Sequence, residues 1–406
     1  MSKIALIQPD SPYLTNPLAF PSLGLLYISS YLKRNGFDHD FYDLTDGVEM
    51  PDTKADIFAF SCQITQYQDV LRIRDRLKKF NPWSLFVIGG AFPTHTQCND
   101  FINVCGEGEE SMLMIAKGAL KVKYETDKHV DPNFFPNWDA IDLSRYGYGL
   151  EGKRCINLMT KRGNCPFHCS FCAKSEKGKS PLRMRSVENV MEEVDLLRGK
   201  GFGAVAIYDD DVLLDKKRDY KIFEGLRERG MPYRCMTRTD LATKQDLQKL
   251  KDTGCAEVAI GVESADAHIH EVVCRKGTKV QQATDFVRFA KSIGLRVKTY
   301  FIIGLPSESR ETVEKTRRWL DQEKPENYDV SIFTPYPGSH IYNHKKDYDI
   351  NWNQEELERI WYSGEAQYGD CAVSTSHLTA KDILSLKDEL IANRGIGGST
   401  DYWKKL

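Results

Sequence analysis

Apolar residues along residues 1–120 fall into short runs separated by segments of helical period, the pattern of alternating strands and helices. Ile4–Ile7 predicts a strand. Ser22–Asn35 predicts a helix with Leu23, Leu26 and Tyr27 on one face and Gly36 as its stop. Strands are expected at Phe41–Leu44, Ile57–Ser61 and Leu85–Ile88, with helices over Asp69–Lys79 and Met112–Ala119. This is a small doubly wound, Rossmann-like domain, a class of sheet that binds ligands beyond the carboxyl ends of its strands. Residues 121–150 carry Pro132 and Pro136, keep no sustained period and read as a linker.

From Cys155 the alternation resumes. Strands are expected at Cys155–Met159, Ala204–Tyr208, Tyr233–Thr237, Glu257–Val262, Val297–Ile303 and Val330–Thr334. Ser186 can cap a helix whose apolar face is Val187, Val190, Val194 and Leu197, and Thr243 can cap another stopped by Gly254. A third helix carries Ala283, Phe286, Val287 and Ala290 and stops at Gly294. The fold class is therefore α/β: the doubly wound domain, then a partial (β/α)6 barrel over residues 151–344, then a short helical tail over 345–406. Tail residues Trp361, Tyr362, Gln367, Tyr368 and Cys371 are candidates for covering the barrel mouth, and core packing explains the aromatics equally well.

Composition narrows the class. The chain of 406 residues is 41% hydrophobic and 28% charged, with a formal net charge of -2, so no basic excess calls for nucleic acid. The apolar run at the N-terminus is ended by Gln8, Pro9 and Asp10 and is not a signal peptide. No apolar stretch reaches the roughly 18 residues that span a bilayer, so the expected compartment is the cytoplasm, with no membrane partner. An odd count of 11 cysteines argues for reduced thiols rather than a disulfide framework.

Three of those cysteines carry the chemistry. Cys165-Pro-Phe-His-Cys169-Ser-Phe-Cys172 follows the first barrel strand. Three thiolates at this spacing can hold three irons of one four-iron, four-sulfur cubane and leave the fourth iron open. The alternative is a structural zinc site with His168 as fourth ligand. Zinc pairs usually run C-x2-C, and His168 adjoins Cys169, so one ion reaches both with difficulty.

These residues resemble the radical S-adenosylmethionine (SAM) superfamily, over about residues 155–340. C-x3-C-x2-C after the first barrel strand is its signature. Phe171 matches the aromatic position near the adenine, and Tyr208-Asp-Asp-Asp matches the end of the second strand. Gly261-Val-Glu-Ser264 matches a G-V-E-S segment whose glutamate lies in the SAM site. Gly304-Leu-Pro-Ser-Glu308 matches G-L-P-G-E, with Ser307 replacing glycine, and Pro335-Tyr-Pro-Gly-Ser339 matches P-x-P-G-T. The resemblance implies Cys165, Cys169 and Cys172 as iron ligands, and Phe171, Asp210, Arg238, Glu263, Ser264, Gly304, Leu305 and Pro306 as SAM residues. It also implies an external electron donor such as flavodoxin or ferredoxin. Singly, the glycines and prolines could serve as turns and Asp209–Asp211 as a loop or helix cap. A carboxylate such as Glu263 at the end of an apolar strand needs a partner, and a ligand hydroxyl or ammonium is a natural one.

The first domain is similar to that of the cobalamin-binding branch of the superfamily. Pro21-Ser-Leu-Gly-Leu-Leu-Tyr, Ser61-Cys-Gln, Gly89-Gly-Ala-Phe-Pro-Thr94 and Gly106-Glu-Gly-Glu109 match in order. The resemblance implies cobalamin residues Ser61, Gln63, Gly89, Gly90, Ala91, Glu107 and Gly108. Two departures stand out. Where other cobalamin proteins place a cobalt-ligating histidine in D-x-H-x-x-G, this chain reads Asp43-Leu-Thr-Asp-Gly47. About a dozen residues separate Leu44 from Ile57, too few for a full second helix. His95 is the one nearby histidine that could replace the missing ligand.

The expected function is that of a radical SAM enzyme that cleaves SAM reductively to a 5′-deoxyadenosyl radical. Its expected reaction is methyl transfer to an unactivated carbon of a small-molecule or natural-product intermediate. The alternative is a cyclase or rearrangement enzyme of the same build, with a vestigial cobalamin domain. A methylthiotransferase fits poorly, because Cys62, Cys98 and Cys105 do not match its second-cluster pattern.

Overall fold

In the computed structural model of the chain, the structure describes residues 2–11, 14, 16–125, 129–174, 180–364 and 369–392. Gln367 and Tyr368 lie outside the described residues. Contacts divide the chain into two units, one of residues 1–147 with 361–364 and one of 148–360 with 365–406.

In the first unit, β1 (Ile4–Gln8) is buried along its whole length and runs to α1 (Leu23–Arg34), β2 (His39–Asp43) and β3 (Ile57–Ser61). Then come α2 (Tyr67–Phe80), β4 (Leu85–Gly89), α3 (Ala91–His95), β5 (Ile102–Cys105), α4 (Glu109–Ala116) and β6 (Lys123–Glu125). All six strands are parallel in the order β2-β1-β3-β4-β5-β6. The two-residue period of a strand sorts the core. Ala5, Ile7, Phe58, Phe60 and Ile88 pack with Val70 and Leu77 of α2. Ile4, Leu6, Ile57, Ala59 and Val87 pack with Leu25 and Leu32 of α1 and Met112 of α4. No helix lies between β2 and β3, where residues 44–56 form a turn and extended chain.

Residues 121–150 are more than a linker. They supply β6, which pairs with β5, and then β7 (Tyr148–Leu150) of the second unit's sheet. Between them Trp138 is 2% exposed, the Asn137 amide donates to the Leu26 carbonyl at 3.0 Å, and Phe134 stands edge-on to Tyr27. Aromatic pegs and single backbone bonds hold this segment, and they leave no period to read.

In the second unit, β7 turns into β8 (Lys153–Leu158) through Glu151-Gly152, both with positive φ, as a tight hairpin requires. A two-stranded ribbon, β9 (Lys161–Arg162) with β10 (Arg183–Met184), brackets the cysteine loop. The series continues with α5 (Val187–Gly199), β11 (Ala204–Ile207), α6 (Lys216–Glu228), β12 (Tyr233–Met236), α7 (Lys244–Asp252) and β13 (Cys255–Glu263). It ends with α8 (Val280–Ser292), β14 (Arg296–Ile303), α9 (Arg310–Glu323) and β15 (Asn327–Ile332). The sheet order is β15-β14-β13-β12-β11-β8-β7, six parallel strands with an antiparallel edge, curled into a half-barrel. The caps form as expected: Ser186 accepts from the Asn189 amide and Thr243 from the Asp246 amide. β15 begins earlier than its apolar residues indicate, because Asn327 and Asp329 are strand positions with polar side chains.

The tail adds α10 (His340–Asn343), β16 (Asn351–Trp352), α11 (Gln354–Ser363), β17 (Val373–Ser374) and α12 (Ala380–Ala392). The Tyr328 hydroxyl on edge strand β15 donates to the Leu390 carbonyl of α12 at 3.0 Å. Tyr362 packs its ring with Tyr67 and Phe92 of the first unit, and the buried Cys371 thiol donates to the Val373 carbonyl.

Gly90 has φ of 107°, and a Cβ there would lie 2.8 Å from the Cys62 carbonyl oxygen. Gly90→Ala is therefore expected to destabilise the first unit by at least the ~1–3 kcal/mol of such backbone strain. Denaturant unfolding followed by circular dichroism checks this. An unchanged midpoint would mean that the β3 and β4 ends are not tightly apposed.

Candidate active site

The cysteine loop leaves β8 with only the two-residue β9–β10 ladder, so most of its backbone groups must find other partners. Asp209 supplies them at the base. Its carboxylate accepts the Thr160 amide at 2.7 Å, the Thr160 hydroxyl at 2.6 Å and the Lys161 amide at 3.2 Å. The Lys161 ammonium lies 3.0 Å from Asp219 and 3.5 Å from Asp209, all three buried. At the middle of the loop Ser170 is fully buried. Its hydroxyl donates to the Val273 carbonyl and its amide to the Cys274 carbonyl. Gly163 enters the loop at φ of 103°, where a Cβ would strike the Pro181 carbonyl oxygen.

The thiols of Cys165 and Cys172 are half-buried, and burial raises both above the ordinary thiol pKa. The Arg238 guanidinium donates toward the Cys169 sulfur at 3.7 Å and lies over the Phe167 ring at the same distance from its centroid. Asp240 and the Lys276 carbonyl hold that guanidinium in place. A cation beside thiolate sulfur offsets the negative charge that a thiolate-ligated cluster brings, so the donor set fits such a cluster. His168 is exposed, and among the described residues no three His, Cys, Asp or Glu, the three cysteines included, are gathered around a single ion.

The three aspartates after Tyr208 have separate tasks. Asp209 clasps the loop. Asp210 is exposed and pairs with Lys174 at 2.7 Å, and both charges bear on Cys165 and Cys172. Asp211 accepts from the Leu213 and Arg238 amides and the Thr237 hydroxyl, and burial still pushes its carboxyl up to about 6.

Glu263 closes β13 past a bulge between Gly261 and Glu263 and takes φ of 64°. Bulges of this kind re-aim a side chain. The carboxylate accepts from the Lys276 ammonium at 2.6 Å, and the pair folds over Gly261, where a Cβ would meet Glu263 Oε1 at 2.1 Å. The partner that Glu263 requires is thus a lysine of this chain, which the sequence reading did not single out. Ser264 is fully buried and its hydroxyl accepts the Asp266 amide. The structure brings Arg238, Lys276 and Glu263 together beside Cys169, whose charge bears on both Arg238 and Lys276.

Gly304-Leu305-Pro306 forms a turn in which the Gly304 amide donates to Glu308 Oε2 at 2.6 Å, and Leu305 is fully buried. Ser307 stands at φ of 62°, a conformation that costs a residue with a Cβ ~1–2 kcal/mol. No described contact ties Phe171, half-buried between Ser170 and Cys172, to this turn.

In the first unit the expected cobalamin residues gather at the carboxyl ends of β3, β4 and β5. Ser61 is paired with Gly89, Gly90 lies against Cys62, and Ala91 opens α3 at the surface. Gln63 is exposed, with its amide bonded to Gln66. Glu107 lies 3.8 Å from His129, and Gly108 caps α4, where a Cβ would meet Ile28. Asp43-Leu-Thr-Asp-Gly47 is a closed turn. Asp43 accepts from Thr45, Tyr146 and Arg145, and Asp10 accepts the Asp46 and Gly47 amides. His95 is half-buried at the end of α3.

The Radical SAM superfamily model matches residues 161–320, and the B12 binding domain model matches residues 15–116. The chain thus carries a B12 binding domain followed by a radical SAM domain. The cofactors of this radical SAM enzyme are a four-iron, four-sulfur cluster, SAM and cobalamin. An uncharacterized methyltransferase of Pyrococcus horikoshii is 28% identical over 365 residues, covering 80% of this chain and 78% of its own. The anaerobic magnesium-protoporphyrin IX monomethyl ester cyclase of Cereibacter sphaeroides is 25% identical over 81% of this chain and 61% of its own. Among solved structures, the radical SAM methyltransferase TsrM from Kitasatospora setae, with cobalamin and a four-iron, four-sulfur cluster bound, shares the fold. Its TM-score is 0.67 at 16% identity, over 87% of this chain and 81% of that one. Among the described residues no helix is long and apolar enough to cross a membrane.

Burial pushes the fully enclosed Glu308 carboxyl from 4.5 up to about 8, against the pull of the Gly304 and Leu305 amides. The native state therefore holds a proton that the unfolded chain releases near its ordinary value. The stability Glu308 contributes is complete below about 4.5 and is lost as pH rises through about 8. Denaturation midpoints of wild type and Glu308→Gln between pH 5 and 8 should converge as pH falls and diverge, with the variant higher, as it rises. Parallel profiles would refute a protonated native carboxyl.

Proposed function

We propose that this protein is a cobalamin-dependent radical SAM methyltransferase that methylates an unactivated carbon of a small-molecule or natural-product intermediate. The observation that carries the proposal is the cysteine loop of the half-barrel, backed by Arg238, Lys276 and Glu263, in a chain that also holds a B12 binding domain. When bound, the cluster and SAM supply a 5′-deoxyadenosyl radical and cobalamin supplies a methyl carrier.

The protein's own groups bind, orient and shield. Cys165, Cys169 and Cys172 hold the cluster, and Arg238 balances charge at Cys169. Glu263 accepts a polar hydrogen of SAM, a role for which the bond from the Lys276 ammonium aims its carboxylate. Ser264, Phe171 and Gly304-Leu305-Pro306 complete the SAM site, and Asp210 with Lys174 lines its approach. Ser61, Gln63, Gly89, Gly90, Ala91, Glu107 and Gly108 cradle cobalamin, with close glycine contacts that bring backbone near a bulky ring. An external donor of the flavodoxin or ferredoxin kind supplies electrons. The similarity to a cyclase favours one competing reading, oxidative ring closure without methyl transfer.

Three measurements test the proposal. Anaerobically reconstituted protein should carry about four irons per chain, the content of one cubane, and lose them when Cys165, Cys169 and Cys172 become Ala. Stoichiometric zinc would sink it. With methyl-labelled SAM, label should pass to bound cobalamin; label that stays on SAM and methionine favours the cyclase reading. The cobalt(II) form should show no nitrogen splitting in electron paramagnetic resonance. Splitting that disappears in His95→Ala would identify an imidazole ligand instead.

Glu263→Gln should weaken SAM binding about ten- to a hundredfold, the worth of a hydrogen bond to a charged group, while iron content stays the same. Isothermal titration of the reconstituted variant decides, and unchanged affinity would remove Glu263 from the SAM site.

A further inference from the structure

The segment between β13 and α8 carries partners for three parts of the site. Its Val273 and Cys274 carbonyls hold Ser170 of the cysteine loop, the Lys276 ammonium pairs with Glu263, and the Lys276 carbonyl holds Arg238. Little regular structure shapes it. One wide turn of π-type helix spans Ile269–Val273, and Arg275 and Gly277, on either side of Lys276, both take positive φ. Wide turns of this kind gather at functional sites.

One side chain closes the segment. His270 is 1% exposed, with Nδ1 2.7 Å from the Val262 carbonyl oxygen and Nε2 2.7 Å from the Thr278 hydroxyl. A carbonyl only accepts, so Nδ1 carries the proton and Nε2 accepts from Thr278. Burial lowers the imidazole pKa, which favours this neutral form. The ring therefore ties residue 262 to residue 278, the two ends of everything from Glu263 to Gly277.

The Val262 carbonyl also shapes the turn at Glu263. It accepts the Ser264 amide at 2.8 Å, which makes Glu263, at φ of 64°, the apex of a three-residue turn. Such a turn at positive φ is strained, and one backbone bond is little to hold it. The His270 N–H is a second bond on the same oxygen.

We propose that His270 is a positioning residue for SAM: by bridging Val262 and Thr278 it holds the Glu263 turn and the Lys276 segment in the arrangement that presents the glutamate to SAM. The inference rests on the reading of Glu263 as a SAM residue. His270 acts through the Val262 carbonyl and not on SAM itself. Without the bridge Glu263 is aimed for only part of the time, and apparent affinity falls with the competent fraction.

The test titrates SAM calorimetrically into the anaerobically reconstituted full chain. His270→Phe keeps a ring and loses both nitrogens. It should weaken SAM binding about tenfold, the worth of one hydrogen bond, with iron content unchanged. His270→Asn keeps a donor two bonds from Cβ, where Nδ1 stands, and should recover most of the loss. In a Glu263→Gln background His270→Phe should alter the affinity by less than about twofold, because the group it positions is gone. If His270→Phe does not fold, Thr278→Val releases the other end of the bridge and enters the same cycle. It should then weaken SAM binding only where Glu263 is present. Unchanged affinity in the single variant, Asn no better than Phe, losses that add in the double variant, or iron lost along with SAM binding overturns the inference. Glu263→Gln alone reports on the reading beneath it. Weakened binding there with normal binding in His270→Phe leaves that reading standing and removes His270, whereas unchanged binding in Glu263→Gln removes both.

Discussion

One carboxylate fixes the cysteine loop. Asp209, just past the end of β11, takes up the amides and hydroxyl with which the chain leaves β8, next to the short β9–β10 ribbon. The ion then has to be neutralised, and Lys161 does so in company with Asp219. Arg218 extends the network to the Thr160 and Arg185 carbonyls, and Arg185 pairs in full burial with Glu193 of α5. Removing any one partner would leave an unpaired buried charge, which is far more costly than the net worth of the pair. The network ties the base of the loop to α5 and α6.

The half-barrel divides its chemistry by strand period. Outward positions pack on helices and carry the stability of the unit. Inward positions carry Arg234, Glu257, Lys298 and Asp329, charges that packing alone would never select. At the strand ends the same logic continues with Asp211, Arg238, Glu263 and Lys276. Strain is admitted there too: Glu263 and Ser307 both hold positive φ without being glycine. Such conformations persist where the surroundings over-determine them, and they gather at functional sites.

In the first unit the strand ends are set by close approach. Gly90 against the Cys62 backbone leaves no room for a side chain, so the ends of β3 and β4 meet as bare backbone, while Gly108 lies against the end of the Ile28 side chain. The turn that elsewhere carries a histidine is closed here by Asp43 with Tyr146 and Arg145, residues about a hundred positions away in the chain.

The sequence by itself determined the fold class, the strand and helix series and the cysteine motif, because each is local. Alternation and helical period need only neighbours, caps lie within three residues, and C-x3-C-x2-C is one short segment. It also carried the absence of a histidine at Asp43–Gly47. Tertiary structure decided the rest. β5, β6 and β7 are too short, and 121–150 too irregular, for a period to show; only pairing with β4, β5 and β8 makes strands of them. Asp209, Asp210 and Asp211 are indistinguishable as letters and differ only in what folds against them. Lys276 became Glu263's partner, and Arg234 Tyr148's, through contacts that span 13 and 86 residues. A charge's partner depends on distance in space, and a one-dimensional pattern records only distance along the chain.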